Sequence, residues 1–198
     1  MDSSKQKTIY LTFDDGPTPE ITEWTLNTLK QYNAKATFFC IGKNVENYPK
    51  IFQKIIEGEH AIGNHTHNHL NGWKTSNTIY IENVLKAAKA FNSPSTINQQ
   101  LTTNLFRPPY GKIKSSQAKQ LINKGYEIIM WDVLSADFDK SISKEKCLDN
   151  VLRNTQNGSI VVFHDSVKAE QHLKFVLPKV LEYFSKEGYQ FSSIVLPN

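Results

Sequence analysis

The chain is poor in the features that mark several large protein classes. Two cysteines among 198 residues give no disulfide framework, so stability must come from a packed core. Cys40 continues the apolar run Thr37-Phe38-Phe39 and reads as a core thiol, Cys147 falls in a helical pattern, and nothing requires a bond between them. Lysine and arginine form no run and the net charge is only +4, which leaves no basic footprint for nucleic acid or a lipid surface. No apolar stretch reaches spanning length, and Met1 to Lys7 is polar with no apolar signal core. The expectation is a cytosolic protein, or a secreted or envelope domain without its signal or anchor. No Gly-rich phosphate fingerprint follows the first apolar segment, which lowers any nucleotide-binding reading. No linker or shift of composition divides the chain, so residues 1–198 read as one domain.

What is present is a real core composition, 39% hydrophobic with eleven Phe and eight Tyr. Apolar strand-like segments alternate with helical patterns along the whole chain. Strands are expected at 8–11, 36–41, 61–63, 105–106, 126–131, 159–163 and 190–195. Helices are expected at 19–32, 49–57, 76–91, 115–124, 143–154 and 170–186, with Pro178 kinking or splitting the last. Thr18-Pro19 offers a cap and first-turn proline for the first helix, and 92–104 reads as a polar loop or ragged helix. The 76–91 helix would bury Ile79, Val84, Leu85 and Ala88. Such alternation implies parallel strands joined by right-handed crossovers. The economical closure is an α/β fold, a distorted (β/α) barrel of about seven parallel strands, with an open doubly wound sheet as the alternative.

The unusual polar residues fall at the ends of these strands. Asp14 and Asp15 follow the first and His65 and His69 the third; Arg107 ends the fourth, Asp137 lies past the fifth, and His164 ends the sixth. In a parallel barrel those ends share one face. Asp-Asp-Gly-Pro alone is turn chemistry, and His164 alone is a satisfied core histidine. Together they describe a site. His65 and His69, at i and i+4, place two imidazoles on one side of a helical turn, leaving His67 to the loop surface or a supporting role. Two histidines and a carboxylate from the Asp pair, with an open position, describe a catalytic zinc-type centre. The other carboxylate is placed as general base, with Arg107 holding it ionised. His164 can protonate a leaving group, with Asp137 fixing its tautomer and raising its basicity.

Five motifs then carry a resemblance. Thr12-Phe13-Asp14-Asp15-Gly16-Pro17, His65-Thr66-His67-Asn68-His69 and Arg107-Pro108-Pro109-Tyr110-Gly111 resemble the first three motifs of the polysaccharide deacetylase family (the NodB-homology domain, carbohydrate esterase family 4). Trp131 to Phe138 and Val162-Phe163-His164-Asp165 resemble the fourth and fifth, in family order. The resemblance implies hydrolysis of an N-acetyl group from an N-acetylglucosamine-containing glycan of peptidoglycan or chitin type, by a single catalytic domain spanning 1–198. It implies Asp15, His65 and His69 as ligands of zinc, or of cobalt or nickel. Asp14 would be the base with Arg107 its partner, His164 the acid tuned by Asp137, and the Tyr110 amide an oxyanion donor. Where the family usually reads D-x-x-D-W, this chain has Leu134-Ser135-Ala136-Asp137-Phe138, so Phe138 supplies an apolar wall and one acid is missing. Trp73 is a candidate to stack on a sugar ring, with a loop-anchoring role equally open. The alternatives are an O-acetyl esterase on xylan or a related glycan, a glycan-binding module without turnover, and a metal-binding structural barrel.

Overall fold

The first strand, β1 (Thr8–Asp14), is the axis of the molecule: a TIYLTFD segment almost wholly buried. In the computed structural model, which describes residues 6–93 and 103–195, β1 pairs in parallel with β2 (Thr37–Cys40) on one side and β7 (Ile160–His164) on the other. The curled sheet continues through β3 (Ala61–Asn64), β4 (Leu105–Phe106) and β5 (Glu127–Ile128) at one end, and β6 (Val133–Leu134) at the other. This gives the order β5-β4-β3-β2-β1-β7-β6. Every recorded ladder is parallel, and β8 (Gln190–Phe191) pairs with the start of β1. The seven parallel strands bear out the distorted (β/α) barrel expected, curled here as a half-barrel, with β8 as an eighth, short addition. Its central strands are apolar on both faces, as parallel strands covered on both sides must be.

Around the sheet run α1 (Ile21–Gln31), α2 (Gly42–Asn47), α3 (Pro49–Glu57), α4 (Asn77–Phe91), α5 (Ser115–Ile122), α6 (Lys144–Asn154) and α7 (Glu170–Lys186). Several expectations need correction. The helix α2 and the strand β6 had no sequence signal: six and two residues are too few to show a period. The strands expected over 126–131 and 190–195 shrink to two residues each. The first helix starts at Ile21, and Glu20, with φ +65, holds the cap position in place of Thr18. Pro178 does not split α7, which runs through it. The α4 face is turned by about one position. Tyr80, Ile81, Val84, Ala87, Ala90 and Phe91 are buried, while Ile79 and Leu85 are exposed, because α4 packs against both α2 and α5. Of the 92–104 loop, residues 94–102 lie outside the described residues. Among the described residues, no helix is long and apolar enough to cross a membrane.

Register is what carries the core to the site. Phe13 lies between Phe38 of β2 and Phe163 of β7, their rings stacked at 5.0 and 6.0 Å. One residue further, Asp14 stands level with Phe39 and His164. Asn64 pairs with Phe106 across β3 and β4, so the next residues, His65 and Arg107, emerge side by side. Cys40 and Cys147 are both buried free thiols.

Candidate active site

Asp14 ends β1 almost fully buried, and one carboxylate oxygen accepts from Arg107 Nη1 at 2.8 Å. The guanidinium is wholly enclosed. It also donates to Thr12 Oγ1 (2.7 Å) and to the carbonyls of Ile129 (3.1 Å) and Met130 (2.9 Å), and it lies over the Phe39 ring at 4.1 Å. That stack needs Gly63 in β3, since a Cβ there would run into the Phe39 ring. Burial by itself would raise the Asp14 carboxyl; the charges of Arg107, His65 and His164 outweigh it and hold the group below its usual range.

Asp15 leaves the strand with φ +81, which turns its side chain away from that of Asp14. The Asn44 amide of α2 secures this bend by donating to the Asp15 carbonyl at 2.7 Å. One Asp15 carboxylate oxygen is then buried with no hydrogen-bond partner, 3.2 Å from His69 Nε2 and 3.7 Å from His65 Nε2. His65 Nδ1 lies 2.8 Å from the Arg107 carbonyl. A carbonyl only accepts, so that nitrogen carries a proton, and Nε2 is the ring atom turned toward Asp15. Burial pushes His69 down to about 4, keeping it neutral, and its Nδ1 meets the Tyr110 hydroxyl at 3.1 Å. One Asp15 oxygen and one nitrogen from each imidazole therefore lie within 4.8 Å of one another. That is the signature of a cation site.

The two histidines do not share a helical turn, as their spacing suggested. Thr66 and His69 have φ +62 and +54, and the loop folds back to bring both rings within 5.1 Å. His67 is not on the surface either: it is buried under α2, its Nε2 3.6 Å from Glu46. Asp15, Thr66, His69, Tyr110 and Ala136 are all non-glycine residues with positive φ, a concentration of backbone strain around this one centre.

Across the cleft, His164 Nδ1 lies 2.8 Å from one Asp137 oxygen while the His164 amide donates to the other at 2.8 Å. The His172 imidazole donates to the Asp137 carbonyl at 2.9 Å. Burial opposes the imidazolium, but the enclosed Asp137 carboxylate prevails and lifts His164 to about 9. Behind the motif, Asp165 accepts from the Gly16 amide and the Thr22 hydroxyl, and burial raises it to about 8. A Cβ at Gly16 would collide with that carboxylate.

Asp14, Asp15, His65, His69 and His164 line an open cleft of about 460 Å³ with Tyr110, Trp131, Leu134, Phe138, Val162 and Lys168 on its walls. Phe138 packs edge-on to His164 at 4.9 Å. Asp15 and His69 also border a second, more open groove with Thr18, Asn44, Tyr48 and Val167. Trp73 does not line the cleft; its indole N–H donates to the Ile113 carbonyl at 3.2 Å, which favours the loop-anchoring reading.

The family model described as polysaccharide deacetylase matches residues 2–129. The chain belongs to the polysaccharide deacetylase family. It is 34% identical over 191 residues to a peptidoglycan-N-acetylglucosamine deacetylase of Bacillus cereus, covering 96% of this chain and 67% of that one. It is 32% identical over 170 residues to a chitooligosaccharide deacetylase of Azorhizobium caulinodans, covering 85% and 79%. A solved peptidoglycan N-acetylglucosamine deacetylase, in complex with 4-naphthalen-1-yl-N-oxidanyl-benzamide, superposes with a TM-score of 0.88. It has 32% identity and coverage of 96% and 87%. The family is metal-dependent, which agrees with the acidic and imidazole cluster found here.

Sequence reasoning missed two wall residues of this polysaccharide deacetylase. Trp131 was placed at the end of the 126–131 strand segment and at the start of the fourth motif but given no role in the site, and it lines the cleft. Lys168, four residues past His164, had no motif to mark it.

Proposed function

We propose that the chain is a metal-dependent hydrolase that removes N-acetyl groups from an N-acetylglucosamine-containing glycan of peptidoglycan or chitin type. The observation that carries this is the convergence of one carboxylate oxygen and two imidazole nitrogens within 4.8 Å of one another, the Asp15 oxygen being buried and without a hydrogen-bond partner. That point is flanked by an ionised carboxylate and a cationic imidazole. The three fit a divalent ion: Asp15, His65 and His69 would hold it, and two imidazoles with one carboxylate suit zinc, with cobalt or nickel as substitutes. When bound, the ion supplies Lewis-acid polarisation of the acyl carbonyl and acidifies water at the site.

The chain's own residues supply the proton transfers. Asp14, kept ionised by Arg107, takes a proton from the attacking water. His164, held cationic by Asp137, delivers a proton to the departing amine nitrogen as the C–N bond breaks. The amide of Tyr110 is assigned to the developing oxyanion. Tyr110, Phe138 and Leu134 enclose the acetyl group, and the groove beyond Asp15 and His69 gives room for further sugars.

The test is acetate release by the zinc- or cobalt-loaded protein, before and after chelation, on N-acetylglucosamine oligomers, peptidoglycan and acetylated xylan. Metal-dependent acetate from the amino-sugar substrates is expected. Acetate from xylan alone would move the activity to an O-acetyl esterase. Tight binding of these glycans without acetate would make the protein a glycan-binding module.

A further inference from the structure

Among the charged side chains of the cleft, one has no task in the reaction just described. Asp14 is paired with Arg107, Asp15 faces the two imidazoles, and His164 is paired with Asp137. Lys168 lies in the loop between β7 and α7 and lines the same cleft. Its ammonium rests over the face of Phe138, 5.3 Å from the ring centre, and Phe138 itself packs on the acid-side His164. The lysine is thus anchored beside the leaving-group half of the site by an aromatic platform.

Among the described residues Lys168 forms no ion pair. Asp139, whose charge it favours from farther off, is already engaged by the Ser141 amide and hydroxyl at 2.9 and 2.7 Å. It shares the cleft lining with the apolar side chains of Trp131, Leu134, Phe138 and Val162. An exposed ammonium seated on an aromatic ring at the cleft, with no ion-pair partner among the described residues, is an unfilled half of a charge-assisted contact.

Resting on the deacetylase reading above, we infer that Lys168 is a specificity-determining residue that recognises a carboxylate carried next to the acetamido group, so that the preferred substrate is an acidic glycan rather than neutral chitin. The chemistry that fits is an N-acetyl sugar bearing a carboxylate ether, as in N-acetylmuramic acid, or an adjoining residue that bears one. The carboxylate can sit on the ether itself or on a peptide stem attached to it; both present the same group to the ammonium.

The experiment compares four substrates on the zinc-loaded full chain. These are an N-acetylglucosamine–N-acetylmuramic acid disaccharide with a free lactyl carboxylate, its methyl ester, the same disaccharide with a short peptide stem, and a chitin disaccharide. Each is run with wild type, Lys168→Met and Lys168→Glu; methionine keeps the apolar stem over Phe138 and removes only the charge. The wild type should favour a carboxylate-bearing substrate over the ester by roughly 3- to 10-fold in kcat/KM, through KM. The preference should shrink with added salt, vanish in Lys168→Met and reverse in Lys168→Glu. Preference for the free acid places the carboxylate on the ether, and preference for the peptide-bearing form places it on the stem; either supports the inference. An acid-to-ester ratio that is the same in wild type and Lys168→Glu would overturn it, as would a loss in Lys168→Met that falls equally on all four substrates. Acetate from none of the four would instead overturn the deacetylase reading, and this inference with it.

Discussion

The Asp14–Arg107 pair can be tested through folding stability, independently of turnover. Arg107→Met removes a fully buried cation that makes four hydrogen bonds, to Asp14, Thr12, Ile129 and Met130. Breaking a buried pair by deleting one partner costs about 3–5 kcal/mol, because the remaining charge is left desolvated. Against a total stability of about 5–15 kcal/mol this is a large fraction. The cost should depend on pH in a definite direction. In the wild type Asp14 is depressed, so its stabilising contribution is complete above the unfolded carboxylate value near 3.8 and is lost only on further acidification. Without Arg107, burial is no longer outweighed and the folded-state value rises above the unfolded one. Folding then requires proton uptake, and the variant loses about 1.4 kcal/mol per pH unit from the unfolded value up to the new folded one.

Urea unfolding of the metal-free proteins at about pH 4.5 and about pH 7.5 measures this. The penalty of Arg107→Met should be the larger at the higher pH. Adding Asp14→Asn, which discharges the orphan, should recover about 2 kcal/mol there and flatten the pH dependence. Neither change should restore acetate release. An equal penalty at both pH values, with simple additivity in the double variant, would refute the electrostatic account and leave lost packing over Phe39 as the cause.

Asp137→Asn removes the charge that lifts His164 to about 9. The imidazolium should then lose its proton nearer its ordinary range, moving the alkaline limb of the pH–rate profile down, with kcat near neutrality reduced about 10²- to 10⁴-fold. NMR titration of the His164 ring checks the same shift directly, since the raised value means stability present below the unfolded value and lost as pH passes about 9. Gly16→Ala places a methyl group against the Asp165 carboxylate; a loss of about 1–3 kcal/mol in thermal unfolding is expected, with Asp15 displaced and metal uptake weakened. An Ala variant with unaltered Tm and unaltered zinc affinity by calorimetry would contradict the packing described here.

The sequence by itself determined the alternation of strands and helices, the parallel sheet that follows from it, and the identities of the residues at the strand ends. Those signals are local: apolar segments bounded by Gly and Pro, and polar residues where such segments stop. Asp14, Asp15, His65, His69, Arg107, Asp137 and His164 were legible because parallel topology sends every such end to one face. Roles for Arg107, Asp137 and His164 were proposed from the residues themselves, whereas which of Asp14 and Asp15 would be ligand and which base came only through the family motifs. Tertiary structure alone decided the rest. The His65–His69 geometry depends on two left-handed residues stabilised by contacts outside the loop, so a helical reading of the spacing was the wrong local model. Burial of His67, the turned face of α4 and the unbroken course of α7 through Pro178 depend on which neighbours pack against each element. Trp131, just before β6, and Lys168, in the β7–α7 loop, line one cleft because tertiary packing brings these two segments together, and Lys168 has no period or motif in its own segment to mark that approach.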